Sequence, residues 1–228
     1  PLELSGCMQE EISMPPDCVV PLPEWLRVED AVLLEPLCIG VYAVERSAAQ
    51  EGCRAAIVGA GPIGLSVLLA LSEVAPRQIL VSEPVLARRA AAEKLGAGQS
   101  FATPEGGAAS EIWEASEGGV DVAFECAGTQ ESIDDATRML KPGGMLVLIG
   151  IPEGMDRVSY DPHLMRRREI TGVNIRRQNK NIQRALALMK RRPDAAAVLI
   201  THYFGPEDLL SLLRIDTCRD SGPDRDRL

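Results

Sequence analysis

The sequence predicts an α/β fold built on a doubly wound parallel sheet, and three observations carry that prediction. Arg54 to Val58 is a short, apolar, β-rich run without alternation, as a parallel strand buried on both faces requires. The run breaks into Gly59-Ala60-Gly61-Pro62-Ile63-Gly64 and resumes with helical character. Further apolar runs then alternate with helical stretches as far as Ile149, the pattern of right-handed crossovers in a parallel sheet.

In chain order, residues 1–23 hold a strand-like piece from Cys7 to Met14, then Pro15-Pro16, Val19-Val20 and Pro21-Leu22-Pro23. That proline density suits an edge strand and a connector. Val28 to Leu34 is helical in character, with Glu29 and Asp30 near its start. Glu35-Pro36 reads as an interruption, and Leu37 to Ala49 as an apolar helix ending near Gly52. After the first strand and the glycine loop, a helix reaches about Ala75. Gln78 to Ser82 is the next strand, and Val85 to Leu95 a helix closed by Gly96. A weak strand over Gln99 to Ala102 leads into a polar, Gly-rich crossover through Trp113. Asp121 to Cys126 is a strand, Glu131 to Leu140 a helix, Lys141-Pro142-Gly143-Gly144 a tight turn, and Met145 to Ile149 a strand. Beyond Gly150, the run Ile151-Pro152-Glu153-Gly154 is a loop, Pro162 to Arg168 a short basic segment, and Glu169 to Ile175 a sixth strand. Asn181 to Arg191 is an amphipathic helix with Ile182, Ala185, Leu186 and Met189 on one side. Val198 to Phe204 reads as a strand and Pro206 to Ile215 as a helix, while Asp216 to Leu228 is polar, without period, and expected to be disordered.

The glycine loop has the spacing of a dinucleotide-binding, Rossmann-type turn. Gly59 permits the tight turn, Gly61 lets backbone approach a pyrophosphate, and Gly64 lets the helix lie on the strand. Pro62 and Ile63 open that helix. The second strand ends in Glu83, 19 positions after Gly64, close to the roughly 20-residue spacing of the fingerprint. A carboxylate there accepts the ribose hydroxyls of an adenosine and repels a 2′-phosphate, which points to NAD. Arg88, on the following helix, either flanks the adenine and its ribose or lies on a solvated face. Cys126-Ala127-Gly128 lies at a strand's C-terminal end, where ligands of open α/β sheets bind, and the small Ala127 and Gly128 there admit a ribose.

Composition narrows the partners. The 228 residues carry 24 Lys and Arg against 33 Asp and Glu, a net charge of -9, which argues against nucleic acid or an anionic membrane as the main partner. No apolar run approaches the about 20 residues of a membrane span, and no basic-then-apolar leader opens the chain, so a cytoplasmic location is expected. The six cysteines are scattered without a CxxC pair, which points to buried free thiols rather than disulfides or a structural zinc site.

The sequence resembles the coenzyme half of the zinc-type medium-chain alcohol and polyol dehydrogenases, the sorbitol dehydrogenase group above all. The resemblance rests on Leu34-Glu35-Pro36-Leu37, the Gly59–Gly64 loop, Glu83, Phe124-Glu125-Cys126-Ala127-Gly128, Lys141-Pro142-Gly143-Gly144, Gly150-Ile151-Pro152-Glu153-Gly154, Arg167-Arg168-Glu169-Ile170 and Leu199-Ile200-Thr201-His202. It implies NAD-dependent hydride transfer from an alcohol held by zinc. It also implies that Val19, Val20, Leu199, Ile200, Tyr203 and Phe204 belong against the catalytic domain, so a homo-oligomer is expected through these uncovered residues or through edge pairing of the last Rossmann strand, unless the two pieces pack on each other in a monomer. It implies that Gly150 and Ile151 offer backbone groups to the nicotinamide carboxamide and that Arg176 stands near the coenzyme. It also implies a GroES-like catalytic domain supplying a cysteine and a His-Glu pair to zinc ahead of the coenzyme domain. By this resemblance the chain is expected to begin after that segment, and of the zinc neighbourhood only Glu35 matches, alternatively a plain helix-start carboxylate. His163 and His202 read as structural.

The expected organisation is therefore a catalytic-domain remnant and connector over 1–34, a Rossmann domain over 35–177 and a returning segment over 178–228. Zinc is expected in the complete enzyme and not in this chain alone. An S-adenosylmethionine-dependent methyltransferase shares the glycine loop and the acid but fits the sixth strand and the Gly150–Gly154 loop poorly. A zinc-free quinone reductase usually prefers NADPH, which Glu83 opposes. A non-catalytic dinucleotide-binding or interaction module stays open, and the missing zinc ligands speak for it.

Overall fold

Six parallel strands follow one another in the spatial order β3-β2-β1-β4-β5-β6: β1 Arg54–Val58, β2 Gln78–Ser82, β3 Gln99–Phe101, β4 Val120–Glu125, β5 Leu140–Leu148 and β6 Thr171–Asn174. This is the doubly wound Rossmann order, reversing direction between β1 and β4. The computed structural model describes residues 11–152, 154, 157–178, 180–205 and 208. The start of the Cys7–Met14 piece, Glu153, the helix read over 206–215 (Asp208 apart) and the tail 216–228 lie outside the described residues.

Register is continuous across the centre, with Ile57 opposite Val81 on one side and Phe124 on the other. Ile57, Leu80, Phe124 and Leu146 are fully buried, as expected of strands covered on both faces. The helices α1 Leu34–Arg46, α2 Pro62–Ser72 and α7 Ile182–Arg191 pack together. Gly64 through Leu71 of α2 are all buried, which explains a helix apolar all round. A Cβ on Gly40 would stand 2.5 Å from the Ser66 backbone, so α1 and α2 cross backbone to backbone. Glu45 of α1 then holds Arg184 and, at 2.8 Å, the Asn181 amide of the α7 start. On the other face, α4 Ala109–Ala115 and α5 Gln130–Met139 pack on each other. Asp135 of α5 accepts the Ala108 and Ala109 N–H groups at 3.0 and 2.8 Å, capping α4 from another helix. Burial pushes the Asp135 carboxyl above its ordinary value even though those N–H groups pull it down.

Three sequence expectations change. Glu35-Pro36 does not interrupt: α1 starts at Leu34, and Pro36 sits in its first turn, where the missing N–H costs nothing. The crossover through Trp113 contains α4, whose start depends on the distant Asp135. Val198 to Phe204 is not a strand: α8 Ala195–Leu199 covers its beginning and 200–205 carry no regular element. Ala195-Ala196-Ala197 favours helix strongly, and none of the described strands pairs with this segment. The Lys141–Gly144 turn survives as an irregularity within β5, with Gly143 at φ +78° and a register shift opposite Val120 and Val122. α3 Leu86–Leu95 ends on Gly96 at φ +110°, and α6 Pro162–Arg167 fills the basic segment, its N-terminus capped by Asp161.

Chain contacts divide the molecule into two units, Pro1–Val32 and Leu33–Leu228. In the first, the described residues form a 3-10 turn over Pro16–Cys18, the start of a second over Asp30–Leu33, and no strand. Val19, Val20, Trp25, Val28 and Val32 are exposed there. Among the described residues no helix is long and apolar enough to cross a membrane.

Candidate functional site: the C-terminal edge of the sheet

The loops leaving β1, β2, β4 and β5 meet at one edge of the sheet, and hydrogen bonds tie each to the next. Gly59 N–H donates to Ser82 at 2.8 Å, Cys126 N–H to Val58 at 2.9 Å, and Ile149 and Gly150 N–H both to the Glu125 carbonyl at 2.9 and 3.0 Å.

The three loop glycines have separate tasks. Gly59 has φ +94°, a conformation that disfavours any side chain. A Cβ on Gly64 would lie 1.9 Å from the Gly59 carbonyl oxygen, so the helix can approach the loop only without one. A Cβ on Gly61 would meet nothing within 4 Å. Gly61 is thus the glycine with free space over it, at the N-cap of α2, followed by Pro62 and Ile63 in the first turn. First-turn N–H groups of a helix have no acceptor one turn back, which makes this spot suited to an anion.

Glu83 is 2% exposed and folds back onto the loop. Its Oε2 accepts Ala60 N–H at 2.7 Å and its Oε1 accepts Val85 N–H at 2.9 Å. Both oxygens are engaged by backbone, a geometry that spacing alone does not disclose. Arg88 is exposed, whereas its neighbour Arg89 donates to the Glu83 and Pro84 carbonyls at 2.7 Å each and braces the turn.

On the other side of the loop, Ala127 is exposed and Gly128 is buried at φ +75°. A Cβ on Gly128 would lie 2.4 Å from the Ile151 carbonyl oxygen, and one on Gly150 would lie 2.3 Å from Gly128 N. The turns after β4 and β5 therefore touch along their backbones. Ile151 emerges from this contact 79% exposed. Ile175 N–H donates to Leu148 at 2.8 Å, which brings the end of β6 beside β5 and places the exposed Arg176 at the same edge.

Sequence reasoning passed over Glu125. It is 1% exposed, and its Oε1 accepts Ala127 N–H at 2.7 Å, Gly128 N–H at 2.6 Å and the Ser132 hydroxyl at 2.7 Å. Its Oε2 is buried and has no hydrogen-bond partner. The available signal was an acid ending an apolar strand, the same signal that identified Glu83. Burial, and then the Glu125 carboxylate, push the adjacent Cys126 thiol well above its ordinary value, so Cys126 is a poor nucleophile.

Glu35, in the first turn of α1, is exposed. Among the described residues no group of three His, Cys, Asp or Glu side chains could hold a metal ion. Cys38, one turn along α1, is pushed up to about 11 by burial and then by Glu35. Two hollows of about 200 and 210 Å³ lie away from the edge, one beside Thr137 and Leu164, the other beside Cys53 and Lys141.

Strand order, glycine loop and the acid closing β2 together define a Rossmann domain of the dinucleotide-binding type. A zinc-binding dehydrogenase family model matches residues 62–191, and the chain belongs to that family. It is 31% identical to the (R,R)-butanediol dehydrogenase of Bacillus subtilis (strain 168) over 205 residues, 90% of this chain and 59% of that protein. It is 34% identical to the sorbitol dehydrogenase of the same organism over 150 residues, 65% of this chain and 42% of that protein. The crystal structure of 2R,3R-butanediol dehydrogenase from B. subtilis superposes with a TM-score of 0.78 at 29% identity, covering 90% of this chain and 57% of that one. A structure described as a zinc-binding dehydrogenase from Sinorhizobium meliloti 1021 bound to NADP superposes at 0.66 with 27% identity, over 79% and 52% of the two chains. The chain thus spans about half the length of the relatives it matches.

Proposed function

We propose that this chain is the coenzyme-binding part of an NAD-dependent alcohol or polyol dehydrogenase. The observation that carries the reading is the Glu83 carboxylate, fixed at the end of β2 by Ala60 and Val85. Each carboxylate oxygen has a second acceptor direction, so a ribose lying over Gly59 to Gly61 finds two fixed acceptors for its hydroxyls. The pyrophosphate crosses Gly61 and the start of α2, and Arg88 borders the adenine side. Since the adenosine occupies the β2 side, the nicotinamide half passes over Ala127 and Gly128 toward Gly150 and Ile151, with Arg176 beside it. Bound NAD supplies the acceptor for a hydride from the alcohol carbon.

Among the described residues no group of three His, Cys, Asp or Glu side chains could hold zinc, and Glu35 matches a position of the zinc neighbourhood by resemblance alone. No step is therefore assigned to zinc here. Elemental analysis after dialysis is expected to find no stoichiometric zinc and an assay no alcohol-dependent NADH production; one tightly held zinc per chain overturns this. The same donor set favours a second reading, a dinucleotide-binding module without catalysis of its own. The dehydrogenase reading assigns residues 1–34 to a catalytic domain and connector, 35–177 to the coenzyme domain and 178–228 to a segment returning towards the catalytic domain. The fold leaves β6 as an edge strand with Thr171, Gly172 and Asn174 exposed, and we expect self-association along it in a cytoplasmic protein. Sedimentation over a concentration range tests this, and a strictly monomeric chain argues against it.

Titration with NADH and NADPH tests the cofactor assignment. NADH is expected to bind more tightly, and Glu83→Ala to narrow the preference by about 1 to 3 kcal/mol through loss of charge-assisted hydrogen bonds. Equal or tighter binding of NADPH removes Glu83 from the ribose.

A further inference from the structure

We propose that Glu125 is an electrostatic positioning residue that makes the nicotinamide end of the site favour the oxidised, cationic ring over the reduced, neutral one. The proposal rests on the dinucleotide reading and adds to it a residue outside the glycine loop.

Glu125 is the point where the two backbone turns of that half are joined. Its carbonyl holds Ile149 and Gly150, and its Oε1 holds Ala127, Gly128 and Ser132. Those donors, together with the N-terminus of α5, compensate the charge on one oxygen. Oε2 is different: it is buried, has no partner, and lies on the Gly150 side, only 2.6 Å from where a Gly150 Cβ would stand. An uncompensated carboxylate oxygen thus sits under the backbone from which Ile151 emerges.

What the charge does depends on the oxidation state. The pyrophosphate, the adenosine and Glu83 lie away from the ring and act nearly alike on both forms of the dinucleotide, so their contributions largely cancel in the ratio of the two affinities; Arg176, beside the ring, opposes Glu125, but it is exposed and its charge is screened by water. The nicotinamide ring carries a positive charge when oxidised and none when reduced. A buried negative end near it therefore enters the ratio directly. At an effective dielectric of about 20, a unit charge about 10 Å away alters that ratio by about tenfold, or about 30 mV for a two-electron couple.

The test measures dissociation constants of the purified chain for NAD⁺, NADH and ADP-ribose. In Glu125→Gln the amide oxygen keeps the three donors, the charge is gone, and the ratio Kd(NAD⁺)/Kd(NADH) is expected to rise about tenfold with ADP-ribose affinity unchanged. Ser132→Ala removes one donor from Oε1, leaves the charge less compensated, and is expected to lower the ratio about twofold. A role confined to folding shifts both affinities together and leaves the ratio where it was. That outcome in both variants, with ADP-ribose still bound, overturns the proposal and leaves the dinucleotide reading standing. Failure of the unsubstituted chain to bind ADP-ribose overturns both. If Glu125→Gln does not fold, the Ser132→Ala ratio decides alone, and no change in it overturns the proposal.

Discussion

At the end of β2, Glu83 folds back onto the loop of the neighbouring strand and both of its oxygens are met by N–H groups; at the end of β4, Glu125 folds back onto its own loop with one oxygen met three times and the other not at all. The glycines beside them differ in the same sense. Above Gly61 there is free space, whereas Gly128 and Gly150 are held against each other's backbone. The β1–β2 side combines a fixed carboxylate with free space above Gly61. The β4–β5 side is a closed floor, fixed by backbone contact, that carries an unbalanced charge. In the proposed reading, one side binds the common adenosine portion and the other distinguishes what the attached ring is.

The largest effect expected from breaking this arrangement is at Gly64, where an added methyl meets the Gly59 carbonyl at 1.9 Å and the obstacle is backbone. Gly64→Ala is expected to cost about 3 kcal/mol by overpacking, lowering Tm by about 6 to 12 °C. A smaller loss, about 2 kcal/mol, is expected for Gly150→Ala. Its added methyl meets Gly128 N at 2.3 Å as well as Glu125 Oε2 at 2.6 Å. Adding Glu125→Gln to it should restore less than about 0.5 kcal/mol, because the backbone obstacle remains; fuller rescue in a thermal melt means the side chain alone closes the floor. Gly61→Ala should leave stability within about 0.5 kcal/mol, since its φ of -72° suits any residue and the space is open. ADP-ribose affinity should nevertheless fall at least about tenfold if the pyrophosphate crosses there. Unchanged affinity moves the pyrophosphate elsewhere.

The sheet was largely legible because punctuation in the sequence coincides with structure. Gly52 and Gly59 bound β1 and Gly96 ends α3, each through a positive φ, and Glu83 directly follows β2. What stayed hidden depends on distant partners. The start of α4 is capped by Asp135, 26 residues beyond Ala109, and no local pattern announces that bond. The run from Val198 has β-branched and aromatic character, but a strand also needs a neighbour, and the alanines before it start a helix instead. At the site, spacing located the glycines and Glu83. It could not tell which glycine faces free space and which faces a carbonyl, and it stopped at Cys126-Ala127-Gly128 one residue after the carboxylate that organises them. Glu125 lay inside a quoted motif, yet its weight comes from burial and from the partners of each oxygen, which only the folded chain assembles.

The smallest effect sharpens the contrast at its weakest point, the charge on Glu125, through a neighbour that does not touch a ligand in the proposed reading. The Cys126 thiol is raised well above its ordinary value by burial first and by the Glu125 carboxylate second. A raised thiol pKa means that the reactive thiolate becomes abundant only as pH passes the raised value, so alkylation of Cys126 should keep climbing through pH 9 instead of levelling in the usual thiol range of about 8.5. The exposed Cys18 serves as an internal standard for accessibility when the sites are followed separately by mass spectrometry. In Glu125→Gln the electrostatic part is lost while burial stays, and the thiolate is easier to form. Alkylation of Cys126 at pH 9 should then speed up by about threefold with Cys18 unaffected. A Cys126 rate that ignores this substitution means that the carboxylate's negative end is turned away or compensated, and the two sides of the edge would then differ in shape alone.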